Sequence, residues 1–591
     1  MSPIVTILPD GPSVRAAEGE GLADALRRAG VPLSLYCGGR GLCGKCLVEI
    51  AGGALPPAAE DERRLLERRG LMTGRFRLAC RQVVGGDLEI RVPAGSLLPR
   101  MPVLSRGVER SFDLDPAVRK IPIVLPRPTL AEPEALFDQV RALFPGESLA
   151  ASPAALRSLV RAWDKAGPDG PLTAVIYQGR ELLAVEPGDT SNRAFGLALD
   201  LGTTTVVAEL VDLISGRILD TAAGLNAQAA YGADVVSRLT AAFGRPDKAA
   251  ELRRVLLESL NGLIAGLCGR NGVEAGEVYE TVVAGNTAMN HLFLGLPVDT
   301  LAVAPYFAAF SVLPPVPATD AGLAISSAGR VTIAPNIKSF VGGDISAGLA
   351  AIDAAHHPGS FLFVDLGTNG ELVLKRGDRF TAASTAAGPA FEGMTISCGM
   401  LAFPGAVFKA ADRDDGHPAV ETVGGEAPRG VCGTGLIDLL ALALRRGRVT
   451  PQGRIVDASK VLPFADGLAL TQKDVREVQL AAAAVKSGIQ VLLEAEGITS
   501  AELDDIYVAG AFGAYLDLGN AMALGLLPRV DPRKLRFVGN SSLAGARAML
   551  LSNAERARGE ALVGRIGHES LARGPAFQAR FVDALEFKEW S

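Results

Sequence analysis

Cys37, Cys43, Cys46 and Cys80 fall within the first 80 residues of a 591-residue chain whose other three cysteines stand far apart. Their spacing is C-x5-C-x2-C, then 33 residues, then the last cysteine. Thiolate sulfur is a soft ligand, and a cysteine cluster at fixed spacing in a cysteine-poor chain points to a metal centre. Gly38, Gly39, Gly41 and Gly44 occupy the same loop. Lacking side chains, they let backbone approach a ligand closely and turn N–H groups toward the sulfurs. Structural zinc sites usually show two C-x2-4-C pairs, whereas here three ligands share one loop and the fourth stands alone. A disulfide framework goes with a secretory signal, and the opening Met1-Ser2-Pro3-Ile4-Val5 has no basic stretch leading into an apolar one. An iron–sulfur cluster is the reading these residues favour.

A second set of residues is suited to phosphate. Asp200-Leu201-Gly202-Thr203-Thr204-Thr205 lies between the apolar runs 195–199 and 206–211, which reads as strand, tight turn, strand. Gly202 permits the turn, and the hydroxyls and N–H groups of Thr203 and Thr204 can surround a phosphate. Asp200, at the strand end, is placed to hold Mg2+ directly or through water. Asp365-Leu366-Gly367-Thr368-Asn369-Gly370 repeats the pattern. One such stretch could be a plain hairpin turn; two at corresponding places argue for a pair of loops clamping a nucleoside triphosphate. Glu371 follows the second loop and either orients an attacking water or is a solvated strand residue. Asp344, in Val341-Gly342-Gly343-Asp344, either faces the nucleotide or caps a helix. The chain has no G-x-x-x-x-G-K-[ST] stretch, which excludes a P-loop enzyme.

The cysteine segment resembles the adrenodoxin-like and plant-type 2Fe-2S ferredoxins. Their C-x4/5-C-x2-C pattern with a distant fourth cysteine is matched at all four positions, and Arg77-Leu78-Ala79-Cys80-Arg81-Gln82 is similar too. Residues 194–591 resemble the actin, sugar-kinase, acetate-kinase and heat-shock chaperone ATPase superfamily. Here 200–205 matches the first phosphate loop and 365–370 the second. Val508-Ala509-Gly510-Ala511-Phe512-Gly513 is similar to the adenosine-binding turn, and Val431-Cys432-Gly433-Thr434-Gly435 to a further nucleotide-facing turn. Taken alone, each of these two later turns is by default a packing turn. Over essentially its whole length the chain resembles the reductive activators of corrinoid proteins, through 231–238, 284–290, 388–393 and 474–479 as well.

That resemblance implies a multi-domain α+β and α/β protein. A ferredoxin-like β-grasp domain (1–95) is followed by a Pro-rich linker (96–128), a small middle α/β domain (129–190) and a duplicated actin-like ATPase domain (191–591). It implies a 2Fe-2S cluster on Cys37, Cys43, Cys46 and Cys80. It implies Mg2+ and ATP in the cleft, with Asp200, Asp365 and Glu371 as the catalytic set. Gly202, Thr203, Thr204, Gly367, Thr368, Asn369, Gly433, Gly435, Gly510 and Gly513 would line the nucleotide. The implied activity is one-electron reduction of an inactive cobalt(II) corrinoid to cobalt(I). The implied partners are a corrinoid protein of a methyltransferase system, an upstream low-potential electron donor and a second copy of the chain. Three other readings compete: an activator of radical dehydratases, whose cluster is 4Fe-4S at a subunit interface; a redox-regulated small-molecule kinase; and a redox sensor that binds nucleotide without turnover.

The elements that must position these residues are legible in outline. Around the cysteines, 5–8 and 13–16 read as a hairpin, 21–29 as a short helix, and 47–50 and 87–92 as strands. Six prolines between 99 and 128 suggest an extended connector. Segments 131–144 and 153–166 have helical spacing, and 172–177 with 181–185 form a hairpin around Gly179. From 194 onward the chain repeats itself: Val282-Val283-Ala284-Gly285 returns as Tyr507-Val508-Ala509-Gly510, in the order loop, strand, loop, strand. A duplicated α/β fold with a cleft between its halves follows. Thr471 and Asp474 have capping-box spacing at the start of a helix over 473–494, whose Val475, Val478, Val485 and Ile489 stripe reads as core. Cys268, Cys398 and Cys432 read as core or turn residues, and the five histidines form no H-E-x-x-H pattern.

Composition sets the limits. With 48% hydrophobic and 21% charged residues, the chain has ample core. A net charge of −6 without a basic, aromatic-laced patch excludes a nucleic-acid partner. No uninterrupted apolar stretch reaches membrane-span length. The expectation is a cytoplasmic protein that does not bind membranes.

Overall fold

A computed structural model describes the chain except for residues 1, 10, 18, 30, 32, 34–40, 42, 43, 45, 54, 68–70, 94, 95, 97–109, 131, 132, 147, 168, 233, 414–416, 511–515, 570, 572–574 and 591. Its N-terminal unit comprises β1 (Ile4–Leu8), β2 (Ser13–Arg15), α1 (Leu22–Arg28), β3 (Leu47–Gly52), α2 (Glu60–Glu67), β4 (Phe76–Leu78) and β5 (Leu88–Arg91). The hairpin, helix and two strands expected around the cysteines are all present. The sheet runs β2-β1-β5-β3-β4, with β1 and β5 parallel at its centre. A parallel pair needs a long crossover, and α1 lies within it. Val5, Ile7, Val48 and Ile90 form one core with Leu22, Ala25 and Leu26 of α1. This is the β-grasp arrangement.

The next unit contains β6 (Val118–Ile123), β7 (Ala150–Ala151), α3 (Pro153–Ala166), β8 (Leu172–Tyr177) and β9 (Glu181–Pro187), in the order β6-β8-β9-β7. Ser152 caps α3 by accepting from the Ala155 N–H at 3.2 Å, with Pro153 in the first turn, where a missing N–H costs nothing. The expected helix over 131–144 is shorter, Leu136–Ala142. The expected linker over 96–128 is corrected: its end is β6, a full strand paired with β8. Pro122 made this stretch read as a connector. On an edge strand, however, a proline can point its missing donor away from the ladder.

The remainder is two versions of one plan. The first half has β10 (Phe195–Leu201), β11 (Thr205–Asp212), β12 (Ile218–Leu225), β13 (Val278–Gly285), β14 (Val316–Pro317) and β15 (Arg330–Ile333). Helix α4 (Thr287–Leu294) follows β13 directly, and α5 (Gly343–Ala351) leads into the second half. That half opens with β16 (Phe361–Leu366), β17 (Gly370–Arg376) and β18 (Arg379–Thr385). It continues through a subdomain of β19 (Ala406–Ala411), β20 (Ala419–Thr422), β21 (Gly430–Val431), α6 (Gly433–Arg445), β22 (Val461–Ala465), β23 (Leu468–Thr471) and α7 (Gln472–Glu496). It closes with β24 (Asp505–Gly510), β25 (Leu535–Gly539), α8 (Ser541–Leu551), α9 (Asn553–Val563) and β26 (Ile566–His568).

The sheet orders are β12-β11-β10-β13-β15-β14 and β26-β18-β17-β16-β24-β25. Even the registers correspond: Asp200 lies opposite Ala284 on the parallel neighbour of β10, and Asp365 lies opposite Ala509 on the parallel neighbour of β16. The halves exchange helices. Ile345 and Leu349 of α5 pack on the second sheet with Phe361, Phe363 and Ala509, whereas Leu543, Ala546 and Leu550 of α8 pack on the first with Ala198 and Ala284. The two helices touch where Gly545 has no side chain; a Cβ there would lie 1.8 Å from the Ala347 carbonyl oxygen. Among the described residues, α7 is one helix long and apolar enough to cross a membrane, but most of it is buried in the second half's core. Thr471 and Asp474 form the expected capping box at its start.

Candidate functional site

Two cysteines of the cluster motif, Cys37 and Cys43, lie outside the described residues, as does Gly513. Cys46 immediately precedes β3 and Cys80 sits in the turn after β4. The antiparallel pairing of Leu47 with Leu78 brings them together, and their Sγ atoms are 3.2 Å apart. Two converging soft donors beside a glycine-rich loop fit a cluster. Gly41, at φ +72°, passes so near Arg81 that a Cβ would lie 2.0 Å from its Nε.

The turn bearing Cys80 is held by a residue the sequence did not single out. Glu62 of α2, 1% exposed, accepts from the Leu78 N–H at 2.8 Å, from Gln82 Nε2 at 3.1 Å and from Arg77 Nη2 at 3.2 Å. The chain on both sides of Cys80 is thus fastened to one buried, fully partnered carboxylate. Arg77 and Gln82 flanking Cys80 were the available signal.

In the ATPase-like region, the strand ends bring the expected carboxylates together. Asp200 closes β10; its Oδ2 accepts from Asn540 Nδ2 and its Oδ1 from Ser542 Oγ, each at 2.9 Å. Both partners stand at the start of α8, 340 and 342 residues away in sequence. Asp365 occupies the equivalent place on β16, directly opposite Glu371 on β17. Gly510, at φ +109°, leaves no room for a side chain, since a Cβ would lie 2.4 Å from the Leu366 carbonyl oxygen and 2.9 Å from Asp365 Oδ1. Asp344 lies in the first turn of α5, and its Oδ1 accepts from the Ile345 N–H at 2.9 Å.

Burial raises all four acids. Asp200 is lifted above its ordinary value by burial, against the hydrogen bonds from Asn540 and Ser542. Asp344 is pushed to about 7 by burial, opposed by the Ile345 N–H and helped by the Asp200 charge. Asp365 is pushed to about 8 by burial and then by Asp344 and Asp200. Glu371 is raised well above the carboxylate range by burial and by Asp344 and Asp365, while Asn369 donates to it. Like charges this close in a low-dielectric cleft call for a cation. Among the described residues no three acid, histidine or cysteine side chains converge closely enough to hold a metal ion outright.

The loops themselves are braced. Gly202 turns back so tightly that a Cβ would meet the Thr205 carbonyl oxygen at 2.5 Å, and the Gly367 N–H donates to the Asn369 carbonyl at 3.0 Å. Asn286 Nδ2 donates to Thr203 Oγ1 at 3.1 Å while its Oδ1 caps α4. Arg238, fully buried, donates to the Thr203 carbonyl at 2.5 Å. Thr204 and Thr368, one from each loop, both donate to Glu392. Sequence reasoning missed Asn540, Ser542 and Glu392 as site residues, although Glu392 lies in the 388–393 stretch. Gly433 and Gly435 open α6, where a Cβ on Gly435 would lie 2.2 Å from the Val407 carbonyl oxygen. This gives Gly435 a packing reason in the β19–α6 layer.

Comparison with known proteins adds an independent line. Residues 5–84 match the 2Fe-2S iron–sulfur cluster binding domain family. Residues 107–192 match the RACo linker region, 195–357 the RACo middle region, and 360–590 the C-terminal ASKHA domain of RACo. The chain is 31% identical over 585 residues to the corrinoid activation enzyme RamQ of Eubacterium limosum, covering 94% of each. It is 30% identical over 388 residues to a Methanosarcina barkeri reductase for the Co(II) methylated amine-specific corrinoid protein, covering 60% of this chain and 70% of that one. Among solved structures, it is similar to a reductive activator for corrinoid, iron–sulfur protein at a TM-score of 0.75 and 34% identity, covering 99% and 98% of the two chains.

Proposed function

Because the chain belongs to the RACo family of reductive activators of corrinoid proteins, we propose that it uses ATP to return a corrinoid protein of a methyltransferase system from cobalt(II) to cobalt(I). The observation that carries this reading is the union, on one chain, of a converging cysteine pair in a ferredoxin fold with a two-loop cleft of buried acids. Cys37, Cys43, Cys46 and Cys80 would hold a 2Fe-2S cluster, which supplies one electron near −400 mV if it is of plant-ferredoxin type. Asp200 and Asp365 would hold Mg2+, whose charge offsets the repulsion among Asp344, Asp365 and Glu371.

The chain's own part is to bind, orient and couple. Thr203, Thr204, Thr368 and Asn369 surround the phosphates from two sides, and Glu371 aligns the attacking water. Every 100 mV by which cobalt lies below the donor costs about 2.3 kcal/mol for one electron. Nucleotide shifts that balance only by favouring a state of the protein that also binds the cobalt(II) partner better. An external low-potential donor restores the electron.

The test is anaerobic. Reduced, cluster-loaded protein is mixed with an inactivated corrinoid protein, and the cobalt(I) absorbance is followed with and without Mg-ATP. Cobalt(I) should form only with Mg-ATP, and Cys80→Ser should lose both the cluster spectrum and the reduction. Equal cobalt(I) formation without nucleotide would overturn the coupling.

A further inference from the structure

Glu392 sits at the point where the two loops meet. Its Oε2 accepts from Thr204 Oγ1 of the first loop at 2.9 Å, and its Oε1 and Oε2 both accept from Thr368 Oγ1 of the second at 3.0 Å. The Thr204 partner is 188 residues distant in sequence, the Thr368 partner 24. These are the hydroxyls expected to face phosphate. A carboxylate and a terminal phosphoryl group are both compact oxyanions that accept from hydroxyl donors. The place between the loops is therefore already taken by a carboxyl group belonging to the chain, raised above its ordinary value by burial against the hydrogen bonds from Thr204 and Thr368 and the charge of Arg238.

We propose that Glu392 stands in for the terminal phosphoryl group of a nucleoside triphosphate, so that a triphosphate must displace it from Thr204 and Thr368 while a diphosphate leaves it in place. This inference rests on the nucleotide reading of the cleft and adds to it a residue that tells ATP from ADP. Gly388 and Gly393 bracket Glu392, both at φ +76°, a backbone state that glycine adopts at no steric cost. Beyond them Ser397 is fastened to Asp474 at the start of α7, by its N–H at 2.7 Å and its Oγ at 2.6 Å. Release of Glu392 thus changes the tension on a segment that runs from the cleft to the longest helix of the second half's core. A ligand that competes with an internal group keeps only that share of its intrinsic affinity for which the group is out of the way.

The experiment is calorimetric titration of the full chain with the Mg2+ complexes of a non-hydrolysable ATP analogue and of ADP. Glu392→Gln keeps the shape and an acceptor but removes the charge. It should bind the triphosphate about tenfold more tightly than the parent, the difference between charged and neutral acceptor bonds, and leave ADP affinity unchanged. Glu392→Asp, which keeps the charge, should retain the parent's ratio. Amide exchange of the peptide spanning 386–400 in the unmodified protein supplies a readout that no mutant's folding can spoil. It should speed up with the triphosphate and stay unchanged with ADP. Parent protein that binds neither nucleotide overturns the cleft reading, and this proposal with it. Parent protein that binds both, with Glu392→Gln changing neither affinity or both equally, or with exchange unmoved by the triphosphate, overturns the Glu392 assignment alone.

Discussion

Among the described residues, Glu62 fastens the Cys80 turn from both sides, through Leu78, Arg77 and Gln82. It is paired and buried with Arg77, whose guanidinium also donates to the Pro56 carbonyl at 2.6 Å. Removing one partner of such a pair leaves the other charge buried without compensation, at about 3–5 kcal/mol. Glu62→Ala should therefore bleach the cluster at a lower temperature, seen as earlier loss of visible absorbance on heating, while Glu62→Gln should do so less. The cleft acids act in the opposite sense. Asp344 at about 7 and Asp365 at about 8 hold protons in the folded protein that the unfolded chain has released. Their stabilising contribution is complete below about pH 4, the ordinary carboxylate value, and is lost as pH rises to about 8. The melting temperature of the nucleotide-free protein should fall across that interval, and Asp365→Asn should flatten the fall; parallel curves would refute it. Asp200, Asp365 and the Cys46–Cys80 pair were legible because their motifs are local. Asn540, Ser542 and Glu392 were not, because each becomes a site residue only when a distant strand end folds against it.

At the scale of elements, the crossing of α5 and α8 connects packing to the cleft. The Ala347 carbonyl oxygen occupies the space a Cβ on Gly545 would need, so Gly545→Val must push the helices apart. Overpacking of this kind costs about 1–3 kcal/mol. Because Asn540 and Ser542 lie at the start of the same helix, their hold on Asp200 should loosen too. Calorimetry and nucleotide titration on this variant should show both losses; a lowered melting temperature with unchanged affinity would separate the crossing from the site. Strands were legible where apolar runs were bounded by Gly or Asp, as in β10 and β16. They were not where proline intervened, as in β6. The opening of α6 illustrates a different limit, since a glycine needed for close packing and one needed beside a ligand have the same sequence signature.

For the whole molecule, the unit between the ferredoxin-like domain and the duplicated region is a clamp. Tyr177 of β8 donates to Glu280 of the first half at 3.1 Å and accepts from Arg556 of the second at 2.9 Å, while Arg556 Nη2 donates to Glu280 Oε1 at 2.6 Å. All three are buried. Upstream, Arg110 pairs with Glu555, and the Asp115 N–H donates to the Leu551 carbonyl at 2.9 Å, at the far end of the helix that begins beside Asp200. Arg110→Ala should weaken the ATP dependence of cobalt(I) formation while leaving nucleotide affinity within twofold, about 0.4 kcal/mol. Equal loss of both would place Arg110 in folding rather than coupling. The duplication was legible from repeated motifs, but this clamp was not, because it joins residues with no shared pattern. The helix crossing has a mechanical corollary as well. With a carbonyl seated in the gap left by Gly545, the lobes can swivel about that spot but have no freedom to slide past it. A pair of spin labels across the cleft mouth should then separate on opening while a pair flanking the fulcrum keeps its spacing.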